Sequence, residues 1–272
     1  MQNVLIPTDF STNALKAAEY AITLFGNNAK YTLLNSYEVP HSGATMLISI
    51  ADILEKDSIH LLNEEKKHLE LRFPELQHGI SVSAKMGAPT VAIKKVVEST
   101  GVDIVVMGTK GATGLKGILV GSVASNTISD VLCPVLAVPE SVSTSLPKKI
   151  LFAADDKCLN EGKLPDGLTE IANMFDAEVM VLNVVPKGEL GHVGNSENSN
   201  SKPMGVFEGV NYSVHFIEDE DVNNGIESFM KNHQVDLLAM VTRRNDLFGK
   251  LFGLSNTKNM MMHSEVPLAA FH

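Results

Sequence analysis

The sequence predicts an α/β protein in which a parallel sheet, covered by helices on both faces, is built twice along one chain. Three observations carry that expectation. Short apolar runs alternate with helix-periodic segments. The runs are continuously apolar, as strands of a parallel sheet buried on both faces are. And residues 102–138 are matched without a gap by residues 235–271.

The elements follow in order. "NVLIP" (3–7) is a strand ending in proline, and Ser11 is a fitting N-cap for the helix "NALKAAEYAITLF". In that helix Ala14, Ala18, Ala21, Ile22 and Phe25 share one stripe, and Gly26 stops it. "YTLLNSY" (31–37) is the second strand, followed by a long helical stretch from about 44 to 72. Leu54, Ile59, Leu61, Leu62, Leu69 and Leu71 lie there among many charges, which suits a solvated amphipathic face or a lid over the cleft. "ISVSA" (80–84) leads into a helix with Ile93, Val96 and Val97 inward and Lys94, Lys95 and Glu98 outward. "VDIVVM" (102–107), a glycine-rich loop, a helix over about 122–132 and "PVLAV" (134–138) complete the first half.

Shifted by 133 residues, "VDIVVMGTKG" faces "VDLLAMVTRR", and "CPVLAV" faces "VPLAAF". Only 8 of the 37 aligned positions are identical, but the apolar pattern matches nearly throughout. Upstream, "VLIPTDF" (4–10) faces "ILFAADD" (150–156), and "YTLLNSY" faces "VMVLNVV" (179–185). The expected organisation is a domain over 1–140, a polar linker over 141–148 and a second domain over 149–272. The second copy differs in two ways. A Gly-, Ser- and Asn-rich segment (187–211), expected to be a flexible loop, replaces the long helix. Gly108, Gly111 and Gly121 become Val241, Arg244 and Leu254.

Bulk properties exclude several functions. The net charge is −10, from 22 basic and 32 acidic residues, with no basic run to suit nucleic acid. No apolar run approaches the roughly 20 residues that cross a bilayer, so no membrane partner is expected. Cys133 and Cys158 have no ligand-forming neighbours and read as free thiols in a reducing compartment. "MQNVLIPTDF" enters a strand without the basic and long apolar regions of a signal peptide, and a cytoplasmic location is expected. The nine histidines form no metal motif, and no GxSxG context supports a hydrolase triad. No redox cofactor is indicated. Met260, Met261 and Met262 fit packing better than a lipid groove.

The loop "GTKGATGLKGILVGS" (108–122) carries the chemistry. In an open parallel sheet, ligands bind beyond the carboxyl ends of strands where strand order reverses. Asp9 and Gly108 follow strands one and four, which are neighbours there if the order is the common doubly wound one. Glycines let successive N–H groups approach an anion, and Ser122 opens a helix whose N-terminus favours negative charge. From the glycines alone, an anion cradle and a plain mobile loop are equally open. Neither a P-loop nor a dinucleotide fingerprint occurs. Helix capping accounts for Ser122, and for its counterpart Ser255, without any ligand. Lys110 is either a point charge for phosphates or an ordinary solvated lysine. Asn126 either meets a phosphate or stays wet.

The spacing Gly108-x2-Gly111-x9-Gly121-Ser122 resembles the G-2x-G-9x-G-[ST] signature of the universal stress protein family. "LIPTDFS" (5–11), "GAP" (87–89) and "CPVLAVP" (133–139) extend the resemblance over the first half; the second half shares it through the duplicated scaffold. The resemblance implies two tandem doubly wound five-stranded parallel-sheet domains, the second degenerate. It implies ATP, or another adenine nucleotide, in the first domain, with Mg²⁺ or Mn²⁺ bridging phosphate oxygens and no metal held by a protein cluster. By position, Asp9 would stand by adenine and ribose, with Pro7 and Thr8 lining that wall and Ser36 touching the base. Gly108, Gly111, Gly121, Ser122 and Val123 would hold the triphosphate, with Met107, Thr109 and Lys110 at the loop's edge. A regulatory, stress-linked role is implied, with slow ATP hydrolysis or autophosphorylation at most. The last strands of the two halves would pair as an internal pseudo-dimer, and a homodimer of chains is a further implication. The alternatives are a nucleotide-free interaction scaffold, or a small apolar ligand in the second half.

Overall fold

A computed structural model describes residues 1–39, 44–110, 121–143, 145–188, 206–242, 260 and 264–272. The chain divides into two compact units, Met1–Thr144 and Ser145–His272. In the first, the strands are β1 (Gln2–Pro7), β2 (Ala29–Tyr37), β3 (Ile80–Met86), β4 (Ile104–Gly108) and β5 (Val135–Val138). The helices are α1 (Thr12–Phe25), α2 (Ala44–Arg72), α3 (Pro89–Thr100) and α4 (Ser122–Asp130). Strand order is β3-β2-β1-β4-β5, and every pair is parallel.

That order reverses between β1 and β4. The chain moves outward from β1 to β3, then returns to the other side of β1. Right-handed crossovers therefore put α1 and α2 on one face and α3 and α4 on the other, where α1 touches α2 and α3 touches α4. Leu5, Ile6, Leu33, Val105, Val106 and Val135 are fully buried between these layers. Their continuous apolar runs follow from being covered on both faces.

Helix α1 forms as its pattern predicts. Ser11 caps it, its side chain accepting from the Ala14 N–H, and Gly26 ends it at φ 49. All five stripe residues are buried. Helix α2 covers the expected span and turns a largely charged face to solvent. Ile59, Leu61 and Leu71 are exposed, at 39%, 41% and 73% of their surface. The residues facing inward are Ser58, Leu62, Glu65 and Leu69, a stripe that alternates polar and apolar groups. Two buried leucines contribute about 1.5–3 kcal/mol each, so polar contacts at about 1 kcal/mol each are a sizeable share of what holds this face down. The half-exposed ion pair of Arg72 with Glu19, at 3.0 Å, adds less because solvent screens it.

The second unit contains β6 (Lys149–Ala153), α5 (Asp156–Glu161), α6 (Leu168–Phe175), β7 (Glu178–Val185), β8 (Tyr212–Glu218), α7 (Val222–His233), β9 (Leu237–Val241) and β10 (Leu268–Phe271). Its order is β8-β7-β6-β9-β10, again all parallel. Of the segment 187–211, residues 189–205 lie outside the described residues. Its end is packed rather than loose: Phe207 is 1% exposed and meets the Tyr212 ring edge-on at 5.3 Å. Met260 is buried; Met261 and Met262 lie outside the described residues.

Candidate functional site

Because β1 and β4 are hydrogen-bonded neighbours, with Val4 opposite Ile104 and Leu5 opposite Val105, their carboxyl ends open side by side. Pro7 ends β1, half-buried and opposite Leu34 of β2. Thr8 is buried, with its N–H bonded to the Leu34 carbonyl at 2.8 Å and its own carbonyl accepting from Asn35 Nδ2 at 2.8 Å. Asp9 is exposed, and its Oδ1 accepts from the Ser11 N–H at 3.1 Å. Between them Phe10 takes φ 63, a left-handed conformation that costs a non-glycine residue about 1–3 kcal/mol. Ser36 lies half-buried on β2 opposite Lys85 of β3.

On the β4 side, Met107 is buried within the strand opposite Ala137. Gly108 ends the strand, and a Cβ there would lie 2.7 Å from Asn13 Nδ2 and 3.1 Å from the Asn13 carbonyl oxygen. The first glycine of the loop is thus required by the packing of α1. Asn13 itself donates to the Lys110 carbonyl at 3.2 Å, so α1 constrains the start of the loop at Gly108 and at Lys110. Thr109 is buried; its carbonyl accepts from the Gly121 N–H at 2.6 Å, closing the loop at its base. The Lys110 amine is 3.7 Å from the Glu140 carboxylate. Gly111 and the rest of 111–120 lie outside the described residues.

The N-cap of α4 is Gly121, at φ −73 and ψ 149, so the expectation that Ser122 caps this helix is corrected. Ser122 is the first helical residue and is exposed; Val123 follows half-buried, and Asn126 is exposed one turn on. The helix is also shorter than the pattern suggests, ending at Asp130. Its first intrahelical bond joins the Ser125 N–H to the Gly121 carbonyl, which leaves the N–H groups of Ser122, Val123 and Ala124 without partners inside the helix. These donors and an exposed carboxylate flank the same strand ends. Such an arrangement can bind an anion joined to a polar, hydroxyl-bearing group. Among the described residues, no group of three or more His, Cys, Asp and Glu side chains could hold a metal ion. No helix among them is long and apolar enough to cross a membrane.

Sequence reasoning missed one acidic side chain at this site. Glu65 reaches from α2 to the end of β1, where its Oε2 accepts from Thr8 Oγ1 at 2.9 Å. Burial, with Asp9 nearby, pushes its carboxyl above the usual range, against the pull of the Thr8 hydrogen bond and of His68. A visible clue was a glutamate three residues after Leu62 and four before Leu69, on the buried side of an amphipathic helix. Asn13 was missed likewise, and its clue is a polar residue beside the alanine stripe of α1.

At the matching place in the second unit, Asp155 accepts from the Cys158 N–H at 2.8 Å and caps α5. Val241 ends β9 where Gly108 ends β4, and residues 243–259, including Arg243, Arg244, Leu254 and Ser255, lie outside the described residues.

A family model described as the universal stress protein family matches residues 1–139. Universal stress protein MJ0531 of Methanocaldococcus jannaschii is 34% identical over 146 residues, which are 50% of this chain and 81% of that protein. The crystal structure of a universal stress protein from Archaeoglobus fulgidus covers 99% of this chain, with 95% of its own length matched. Its identity is 21% and its TM-score 0.70, so it speaks to the fold across both units. A universal stress protein solved in complex with cAMP is 25% identical over 53% of this chain, covers 98% of its own, and has a TM-score of 0.40.

Proposed function

The chain belongs to the universal stress protein family, and we propose that its first unit binds an adenine nucleotide, ATP foremost, as the input of a stress-linked regulatory function. The observation that carries this reading is the adjacency of β1 and β4 at the point of strand reversal, with the family's glycine signature leaving β4 and ending at the N-terminus of α4. In this reading Asp9 takes the ribose and base side, with Pro7, Thr8 and Ser36 as its wall. The N–H groups of Ser122 and Val123, with Gly111 from the loop, take the phosphates, where the partial positive end of α4 favours negative charge. Gly121 contributes by placing that helix start, since its own N–H is bonded to Thr109. Mg²⁺ or Mn²⁺ would be carried by phosphate oxygens and would neutralise their charge. Lys110, paired with Glu140, acts at the loop's edge.

The second unit keeps the scaffold without this function. The domain limits of 1–140 and 149–272, a cytoplasmic location, the internal pseudo-dimer and a homodimer of chains belong to the same proposal. One observation favours the scaffold alternative: Gly108 is accounted for by Asn13 without any ligand.

Calorimetry of nucleotide-stripped protein with Mg-ATP tests the reading, with Gly121→Val alongside. Micromolar binding to one site per chain, lost in the variant, is expected. Folded wild-type protein that binds no adenine nucleotide would leave the scaffold reading.

A further inference from the structure

Thr8 is held from α2 at both of its polar ends. Its carbonyl accepts from Asn35 Nδ2, and Asn35 Oδ1 in turn accepts from Ser58 Oγ at 2.7 Å. Its hydroxyl donates to Glu65 Oε2 at 2.9 Å and accepts from the Phe10 N–H at 3.0 Å. With its proton directed to Glu65, the Thr8 oxygen presents a lone pair to Phe10. That orientation supports the left-handed Phe10, and Phe10 in turn sets where the chain carries Asp9 and Ser11.

Glu65 is a costly choice for packing alone. It sits between Leu62 and Leu69, both fully buried, and its Oε1 is buried with no hydrogen-bond partner among the described residues. An unsatisfied buried polar atom carries a desolvation penalty that an apolar residue on that stripe would avoid. The second unit supplies the contrast. Ala154 stands where Thr8 does and has no hydroxyl, although Asn183 still bonds its carbonyl at 2.9 Å. There the chain makes no left-handed turn and enters α5 directly at Asp156.

We propose that Glu65 is a positioning residue of the nucleotide site: through the Thr8 hydroxyl it fixes the turn at Phe10, and with it the direction of the Asp9 carboxylate. Nucleotide affinity is thereby coupled to the seating of α2. The inference rests on the proposed nucleotide site for its consequence, while the turn itself is open to measurement without ligand.

The test uses the full chain with Glu65→Ala, Glu65→Gln and Thr8→Val, each checked for a cooperative unfolding transition. Amide exchange at Phe10 is followed by NMR in ligand-free protein, and Mg-ATP affinity by calorimetry. Losing the acceptor in Glu65→Ala is expected to speed Phe10 exchange and weaken Mg-ATP by about tenfold each, the scale of one hydrogen bond. Thr8→Val is expected to reproduce this. Glu65→Gln retains an oxygen that accepts from Thr8 and is expected to stay within about twofold of wild type in both readouts. Unchanged Phe10 exchange in Glu65→Ala would overturn the proposal. So would unchanged affinity where the wild type binds, or a Glu65→Gln variant as impaired as Glu65→Ala. If the wild type binds no nucleotide, the nucleotide reading fails by itself, and Phe10 exchange alone decides whether Glu65 sets the turn.

Discussion

At the end of β1 the chain runs through Thr8, Asp9, Phe10 and Ser11 before α1 begins, whereas at the end of β6 it passes Ala154 and Asp155 and is already in α5. The same acidic position therefore has two fates. Asp9 is exposed, tied to the Ser11 N–H, while Ser11 does the capping. Asp155 is itself the cap. Around this difference the backbone repeats closely. The Thr8 N–H to Leu34 bond has its twin in Ala154 to Leu182, both 2.8 Å, and Thr109 to Val138 has its twin in Thr242 to Phe271. Asp103 and Asp236 each receive N–H groups from the start of the neighbouring first strand, at Asn3 and Lys149. Backbone pairing and a few buried polar ties preserve the sheet through extensive side-chain change; the strand-end turns are where the two copies were free to diverge.

Copying the second unit into the first at its tightest point has the largest expected effect. Gly108→Val imports the residue found at 241, and its Cβ would fall 2.7 Å from Asn13 Nδ2. Asn13 would have to move and give up Lys110, so a loss of about 1–3 kcal/mol in urea unfolding of the first unit is expected. Unchanged stability would mean that the glycine is not held by packing.

The matched pair Asp9→Ala and Asp155→Ala sharpens the contrast in kind. Asp155→Ala removes a cap and is expected to cost about 0.5–2 kcal/mol without altering nucleotide binding. Asp9→Ala is expected to cost less than about 0.5 kcal/mol, as exposed sites do, while weakening Mg-ATP. Similar stability losses in both, measured by denaturant midpoints, would erase the proposed division of roles.

The smallest effect concerns Glu65. Its folded-state pKa is raised above the ordinary 4.5 by burial and by Asp9, so the folded state holds this proton more tightly than the unfolded chain does. The resulting stabilisation is fully present below the unfolded pKa and is lost as pH rises through the folded one. Glu65→Gln, which cannot ionise, is therefore expected to gain stability relative to wild type as pH rises above the ordinary 4.5. A flat difference with pH would show that Glu65 does not titrate abnormally.

The fold was legible because its signals are local and repeated. Buried parallel strands spell continuous apolar runs, α1 carries its alanine stripe, and the duplication gives each strand a second occurrence. Strand adjacency at the reversal also followed from the doubly wound pattern. The contacts that shape the candidate site were less legible. Glu65 meets Thr8 across 57 residues, and Asn13 meets Lys110 across 97. Such pairings leave no period in the sequence, and a glutamate among charges on α2 reads as solvated until its face is known. The cap of α4 was misplaced by one residue because Ser122 has the side chain of a cap, whereas Gly121 has the extended backbone of one. For α2 the sequence offers several leucines among charges, and the fold selects Leu62 and Leu69, with Ser58 and Glu65, as the stripe turned toward Asn35 and Thr8.

One unit of the duplicated scaffold is proposed to bind nucleotide and the other is not. Photolabelling of the full chain with an azido-adenine nucleotide, followed by peptide mapping and competition with ATP, addresses this most directly. Competable label at about one per chain, confined to peptides of residues 1–144, is the predicted result. Competable label in residues 145–272 would contradict it.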